Sequence, residues 1–129
     1  MPRGVAFLLV ASLGSLGCGG GLERVSFSAD DVSYARSARV GLSLTNVSPV
    51  AVGVNLCLSQ LVSADGKTTG PSEAAGCALE PVPLQPGDFV ESRKTIPAEL
   101  AAGKWRYATT IRLPNGAGEK VLTDEFEVK

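Results

Sequence analysis

The chain has 129 residues, of which 12 are basic and 13 acidic, with three cysteines and no histidine. A formal charge of −1 lacks the basic surplus that neutralises nucleic-acid phosphates, so that class of partner is set aside. The absence of histidine removes the commonest general acid–base residue, which argues against an enzyme, and neither a cofactor nor a metal is implied.

Residues 1–17 read as an export signal. Arg3 and the amino terminus supply a short positive region, and residues 5–16 are almost wholly apolar or small. That run is shorter than the roughly 20 apolar residues a membrane-spanning helix needs. The run ends at Leu13-Gly14-Ser15-Leu16-Gly17-Cys18, which resembles the lipobox of bacterial lipoproteins. The resemblance implies lipidation of the Cys18 thiol and cleavage just before it. It also implies anchoring to a bacterial membrane, on its periplasmic or outer face. Gly17 and Cys18 match the pattern, whereas the usual Leu-then-small order is reversed at Ser15 and Leu16. Ordinary signal cleavage is the other reading, and it leaves a free Cys18 on a secreted protein. Residues 18–23, with three glycines, form a flexible tether.

The domain then spans residues 24–129, a length that suits one core. Without Arg3, 11 basic residues face 13 acidic ones, a balance of −2. Alternation of apolar and polar residues predicts a short strand over 24–29 and a half-buried strand over 38–45. Asn46-Val47-Ser48-Pro49 breaks the second strand with turn chemistry. The strongest strand is expected over 50–62, with Val50, Val52, Val54, Leu56 and Leu58 sharing a face. Asp65-Gly66 and Leu84-Gln85-Pro86-Gly87 mark turns, and a charged strand follows over 88–96. In residues 104–113, Trp105, Tyr107, Thr109, Ile111 and Leu113 face one way, and Lys104, Arg106, Ala108, Thr110 and Arg112 the other. After Pro114-Asn115-Gly116, residues 120–129 close the domain with Leu122, Phe126 and Val128 inward; Asp124 breaks the alternation. Residues 72–79 and 97–102 are too short for helices that stand without tertiary support. Six or seven such strands predict an all-β, antiparallel β-sandwich.

With Cys18 lipidated, Cys57 and Cys77 remain as an even pair, and export favours a disulfide between them. A zinc site is the alternative for that pair, but histidine and further thiols are missing. The bridge would close a loop of about 20 residues, worth roughly 3 kcal/mol on a chain-entropy model.

The segments Leu44-Thr45-Asn46-x-Ser48, Asp65-Gly66, Leu84-x-Pro86-Gly87 and Leu100-x-x-Gly103-x-Trp105-x-Tyr107 resemble bacterial immunoglobulin-like or fibronectin-type-III-like domains. Their layout is similar to the intracellular proteinase inhibitor family over residues 38–113. The resemblance implies an immunoglobulin-like sandwich of about seven strands and transfers no inhibitory residue. The aromatic residue that the family carries after Asp-Gly is absent.

Several clusters offer candidate sites. Asp30-Asp31 with Asp124, Glu125 and Glu127 offers hard oxygen ligands for calcium, against the simpler reading of solvated strand ends. Asp88 and Glu91 offer a carboxylate pair, against ordinary solubilising charges. Lys104, Arg106 and Arg112, with Arg93 and Lys94 nearby, offer a face for anionic glycans or lipid head groups, against a charged solvent face. Trp105 and Tyr107 offer a stacking platform, against a core role favoured by their phase with Ile111 and Leu113. The expected function is a non-catalytic, lipid-anchored envelope module that binds another envelope protein, by strand addition at an exposed edge. The alternatives are an inhibitor of an envelope protease, using the loops at 46–50 and 114–118, and a glycan-binding module.

Overall fold

The computed structural model describes residues 24–66, 68–69, 77 and 80–129. The leader 1–17, Cys18 and the tether to residue 23 lie outside the described residues. Eleven strands are present among the described residues: β1 (Val25–Ala29), β2 (Ser33–Tyr34), β3 (Arg39–Asn46), β4 (Val52–Val54), β5 (Gln60–Ser63), β6 (Thr68–Thr69), β7 (Val82–Leu84), β8 (Phe89–Thr95), β9 (Gly103–Arg112), β10 (Gly118–Leu122) and β11 (Phe126–Val128).

They form two sheets. The first has three strands in the order β1-β3-β8. The second is built on β9, which pairs with β10 and β11 along one side and with β4 and β5 along the other. Edge pairs complete it: β2 with β11, β7 with β4, and β6 with β5. All pairs are antiparallel except β2 with β11. The sets β1-β3-β8 and β4/β5-β9-β10/β11 correspond to the A-B-E and C-F-G strands of an immunoglobulin-like sandwich. The fold is therefore an all-β, immunoglobulin-like sandwich, as the period-two patterning indicates.

The alternating apolar residues meet between the sheets. Val25, Phe27, Val40, Leu42 and Leu44 of the first sheet face Val52, Val54, Leu61, Trp105, Tyr107, Ile111, Phe126 and Val128 of the second. Burying each large side chain contributes roughly 1.5–3 kcal/mol relative to exposure. Phe126 packs edge-on against Tyr34, with ring centroids 5.2 Å apart, and lies 5.7 Å from Tyr107. The Trp105 indole is core as well, and its N–H donates to the Ala101 carbonyl at 2.9 Å.

Three expectations are corrected. Residues 50–62 are not one strand. The chain leaves β4 at Val54, makes a 3₁₀ turn over Leu56–Leu58, and re-enters the sheet as β5. The Asn55 side chain accepts from the Cys57 N–H at 3.2 Å, a local bond that competes with the ladder and starts the turn. Val50 is exposed and Leu58 only half-buried, while Val52, Val54 and Leu56 keep the expected inward face.

Second, Leu122 faces solvent at 42% exposure, and Val121 packs on the core instead. Leu122 pairs with Ala108 and Phe126 with Trp105, so three residues (Thr123 to Glu125) oppose two (Arg106 and Tyr107). This is a β-bulge, and one extra residue moves the inward phase from odd to even positions. It accounts for the break at Asp124. Thr123 holds the bulge: its N–H donates to the Tyr107 carbonyl at 2.9 Å, and its hydroxyl accepts from the Tyr107 N–H at 3.1 Å.

Third, the strand total exceeds seven because β4 and β5 divide one expected strand, β10 and β11 divide another, and β2, β6 and β7 are short edge pieces outside the expected strands. No helix forms over 97–102, where the chain turns.

One buried amide joins the ends of the sheets. Asn46 is 0% exposed. Its Nδ2 donates to the carbonyls of Val50 and Leu84, each at 2.8 Å. Its Oδ1 accepts from the Ser48 N–H at 2.9 Å and lies 2.7 Å from the Ser48 hydroxyl. Its backbone N–H donates to the Asp88 carbonyl at 2.9 Å, and its carbonyl accepts from the Gly87 N–H at 2.8 Å. Gly87 makes that approach with φ of 85°, a left-handed conformation that glycine adopts without strain. Asn46→Ala would remove the amide donor from the Leu84 carbonyl and leave the Val50 carbonyl only the Ser48 hydroxyl, and is expected to lower the unfolding free energy by about 2 kcal/mol. Urea denaturation checks this; a loss below about 1 kcal/mol would show that the network is dispensable.

Candidate functional site

The carboxylates proposed for calcium are engaged separately. The Asp30 carboxylate accepts from the Tyr34 hydroxyl at 2.6 Å. It lies over Gly41, where an added Cβ would come within 2.8 Å of Asp30 Oδ2. Asp31 Oδ1 accepts from the Val32 N–H at 2.7 Å, and Glu125 pairs with Arg106 at 3.7 Å. Among the described residues no three such side chains converge on a metal position. Asp30 instead sits at the end of the β1–β3 ladder: the last paired residues are Ala29 and Leu42, and the carboxylate lies over the next residue, Gly41.

Asp88 and Glu91 do not form a pair of acids facing a common cleft. Asp88 lies in the turn before β8, and Glu91 points outward from β8 opposite Ser43.

The basic residues divide three ways. Lys94 points inward, is buried, and donates to the Cys57 carbonyl at 2.6 Å. Arg106 is paired with Glu125, and Lys104 stands opposite Glu127 in the β9–β11 register. Arg112 pairs across to Gly53 on one side and Gly118 on the other, so no neighbouring side chain crowds it within the sheet. The proposed trio is therefore not one cationic face. Trp105 is 7% exposed, so it forms no surface stacking platform, and the glycan reading loses its aromatic support.

Cys57 and Cys77 form a disulfide with Cα atoms 5.8 Å apart, within the range such bridges span. The bridge ties position 77 to the 3₁₀ turn between β4 and β5.

Besides a recess of about 190 Å³ at Asp30, Glu91 and Arg93 on the first sheet, the described residues form two further concave surfaces. The larger, about 510 Å³, lies between β1 and β10. Its charges largely satisfy one another, since Arg24 meets Glu119 at 3.0 Å and Arg106 meets Glu125. The smaller, about 200 Å³, lies on the outer face of the second sheet. Its lining includes Leu58, Gln60, Pro81, Thr110, Arg112 and Lys120. Lys120 carries no signal in the sequence pattern. The register places it beside Thr110, a cross-strand relation that a one-dimensional pattern does not reveal.

No protein-family model and no curated protein matches the chain. Similar solved structures include the alkylpurine DNA glycosylase AlkC of Pseudomonas fluorescens bound to DNA containing an abasic-site analogue, with 16% identity and a TM-score of 0.49. That likeness covers 85% of this chain and 32% of the glycosylase chain, so the chain spans about a third of that protein. A Niemann–Pick type C2 protein from the Japanese carpenter ant has 15% identity and a TM-score of 0.46, covering 84% of this chain and 96% of that one. A PapD-like domain of human CEP192 has 12% identity and a TM-score of 0.45, covering 96% of each. No activity is carried over from these likenesses.

The Asp30–Tyr34 pair makes stability depend on pH at both extremes. The Tyr34 hydroxyl, then the Gly41 N–H, hold the Asp30 carboxyl below its ordinary value of 3.8. That contribution is full above pH 3.8 and is lost as pH falls through the lowered value. Burial, and then the bond to Asp30, push the Tyr34 phenol above its ordinary 10.0. Its contribution is full below pH 10.0 and declines as pH rises beyond it. Tyr34→Phe is expected to flatten both limbs of a stability-versus-pH curve; unchanged limbs would exclude this pair as their source.

Proposed function

We propose that the protein is a non-catalytic, lipid-anchored module of a bacterial cell envelope, held to the membrane through Cys18 and engaged with another envelope protein. The observation that carries this reading is the Cys57–Cys77 disulfide. It accounts for two of the three cysteines, and Cys18 is left as the odd thiol at the end of an apolar leader. A disulfide also suits an exported protein.

The engagement is by strand addition at β1. Other strand edges carry features that discourage pairing. β8 has an inward lysine at position 94, β7 has Pro83 at its centre, and β10 runs into the bulge at Thr123. β1 reads Val-Ser-Phe-Ser-Ala, without charge, proline or bulge, and borders the 510 Å³ cleft.

One observation favours a second reading, as an inhibitor of an envelope protease. The 46–50 loop presents an exposed Val47 on a backbone fixed by Asn46 and Ser48, and an inhibitory loop needs such rigidity. Lack of inhibition across a panel of proteases from the same cell would remove this reading.

For the anchor, acyl labelling is expected on the wild-type protein and absent from Cys18→Ala, with globomycin blocking wild-type processing. Normal processing of Cys18→Ala by the general signal peptidase would overturn it. Thiol titration of the denatured mature protein is expected to detect no free thiol at Cys57 or Cys77, and two free thiols would undo the cysteine argument.

A further inference from the structure

We infer that the 200 Å³ concavity on the outer face of the second sheet binds a small oxyanion, a phosphate or carboxylate borne on a molecule about the size of one sugar ring. The inference deepens the reading of the protein as a binding module by assigning a ligand class to one surface. It stands on different residues from the lipid anchor, and of its residues only Lys120 also lines the cleft beside β1.

The shape of the site follows from small residues at the middle of a sheet. Arg112 has glycine on both cross-strand sides, Gly53 and Gly118. An added Cβ at Gly53 would come within 3.0 Å of Pro81 Cβ and 3.2 Å of Arg112 Cβ, so a side chain there would intrude between them. At Gly118 it would meet Thr110 Cγ2 at 3.1 Å. Ala108 lies one outward position further along β9 and contributes only a methyl group. The outer face therefore dips around Thr110, between Leu58 and Pro81 on one side and Lys120 on the other.

The charge of the site is as one-sided as its shape is concave. Two cations line it, Arg112 and Lys120, and no carboxylate does among the described residues. Elsewhere on the same face, Arg106 has Glu125 and Lys104 faces Glu127. One Arg112 nitrogen donates to the Gly116 carbonyl at 3.2 Å, which fixes the guanidinium while leaving other N–H donors available. A guanidinium and an ammonium that share a recess favour an oxyanion through charge-assisted hydrogen bonds. The Thr110 hydroxyl and the Gln60 amide supply neutral donors and acceptors for hydroxyl groups carried by the same ligand.

The test uses the disulfide-intact mature protein and three probes at constant ionic strength: inorganic phosphate, glucuronate and neutral glucose. Backbone amide NMR titration reads the site directly. Phosphate, glucuronate or both are expected to give saturable shifts centred on Thr110, Arg112 and Lys120, with glucose giving none. Which of the two oxyanions saturates distinguishes a phosphate from a carboxylate ligand. Arg112→Gln combined with Lys120→Gln is expected to weaken binding by about tenfold or more, while Lys104→Gln leaves it unchanged. These are surface positions, and an unchanged spectrum elsewhere verifies that the variants fold. Non-saturating shifts, equal response to glucose, or equal loss in Lys104→Gln would overturn the inference. Such a result would leave the lipid anchor untouched, because acyl labelling tests that separately.

Discussion

The sandwich depends on a side chain that is neither apolar nor catalytic. At the end of β3, Asn46 has every donor and acceptor engaged, and its partners lie in three separate stretches, residues 48–50, Leu84 and residues 87–88. Burying an amide without partners costs several kcal/mol, so the geometry of those loops is specified together or not at all. The Leu84-Gln85-Pro86-Gly87 turn and the Asn46-Val47-Ser48-Pro49 turn are thus two sides of one network. Hydrophobic burial drives the two sheets together, but it is indifferent to small slips. The amide is not, because a displacement of one residue would carry its Nδ2 away from the carbonyls of Val50 and Leu84.

A comparable link operates along the β4–β5 side. Lys94 reaches across from β8 and donates to the Cys57 carbonyl, within the turn that the disulfide also clamps. Burying an ammonium is costly unless it is well bonded, and a single lysine on the inner face also discourages further strands from pairing with β8. The 3₁₀ turn is consequently held from three directions, by the Asn55 side chain, by Lys94 and by the Cys77 sulfur. Together these explain why an apolar stretch as long as residues 50–62 is divided between two strands. Its central residues serve as a junction between the sheets.

What was legible in the sequence follows the same physics. The long alternations of β3 and β9 were readable because one face is buried along their whole length, and the inner and outer residues of β9 fall as the pattern requires. The Cys57–Cys77 pairing was readable from cysteine number and compartment. The division of residues 50–62 was not, since Val52, Val54, Leu56 and Leu58 preserve period two while the backbone changes from strand to 3₁₀ turn. The outward Leu122 was hidden for a related reason. A bulge reverses the phase within a strand, and its cause is a hydrogen bond from Tyr107 to Thr123, sixteen residues away in sequence. β2 and β7 are too short to show a period and exist only because β11 and β4 offer unpaired edges.

The candidate sites were legible to a lesser degree, and the reason is geometrical. A sequence lists charges but not which of them neutralise one another across strands. Lys104, Arg106 and Arg112 alternate along β9 and so look equivalent, yet their cross-strand neighbours differ: Glu127 for the first, two glycines for the last, and a pairing with Glu125 of the bulge for Arg106. The bulge is what gives Arg106 its partner, because the extra residue places Glu125 within reach. One inserted residue thereby acts on the core and the surface at once. It turns Leu122 outward and Phe126 inward, and it helps concentrate the remaining positive charge of the outer face at Arg112 and Lys120.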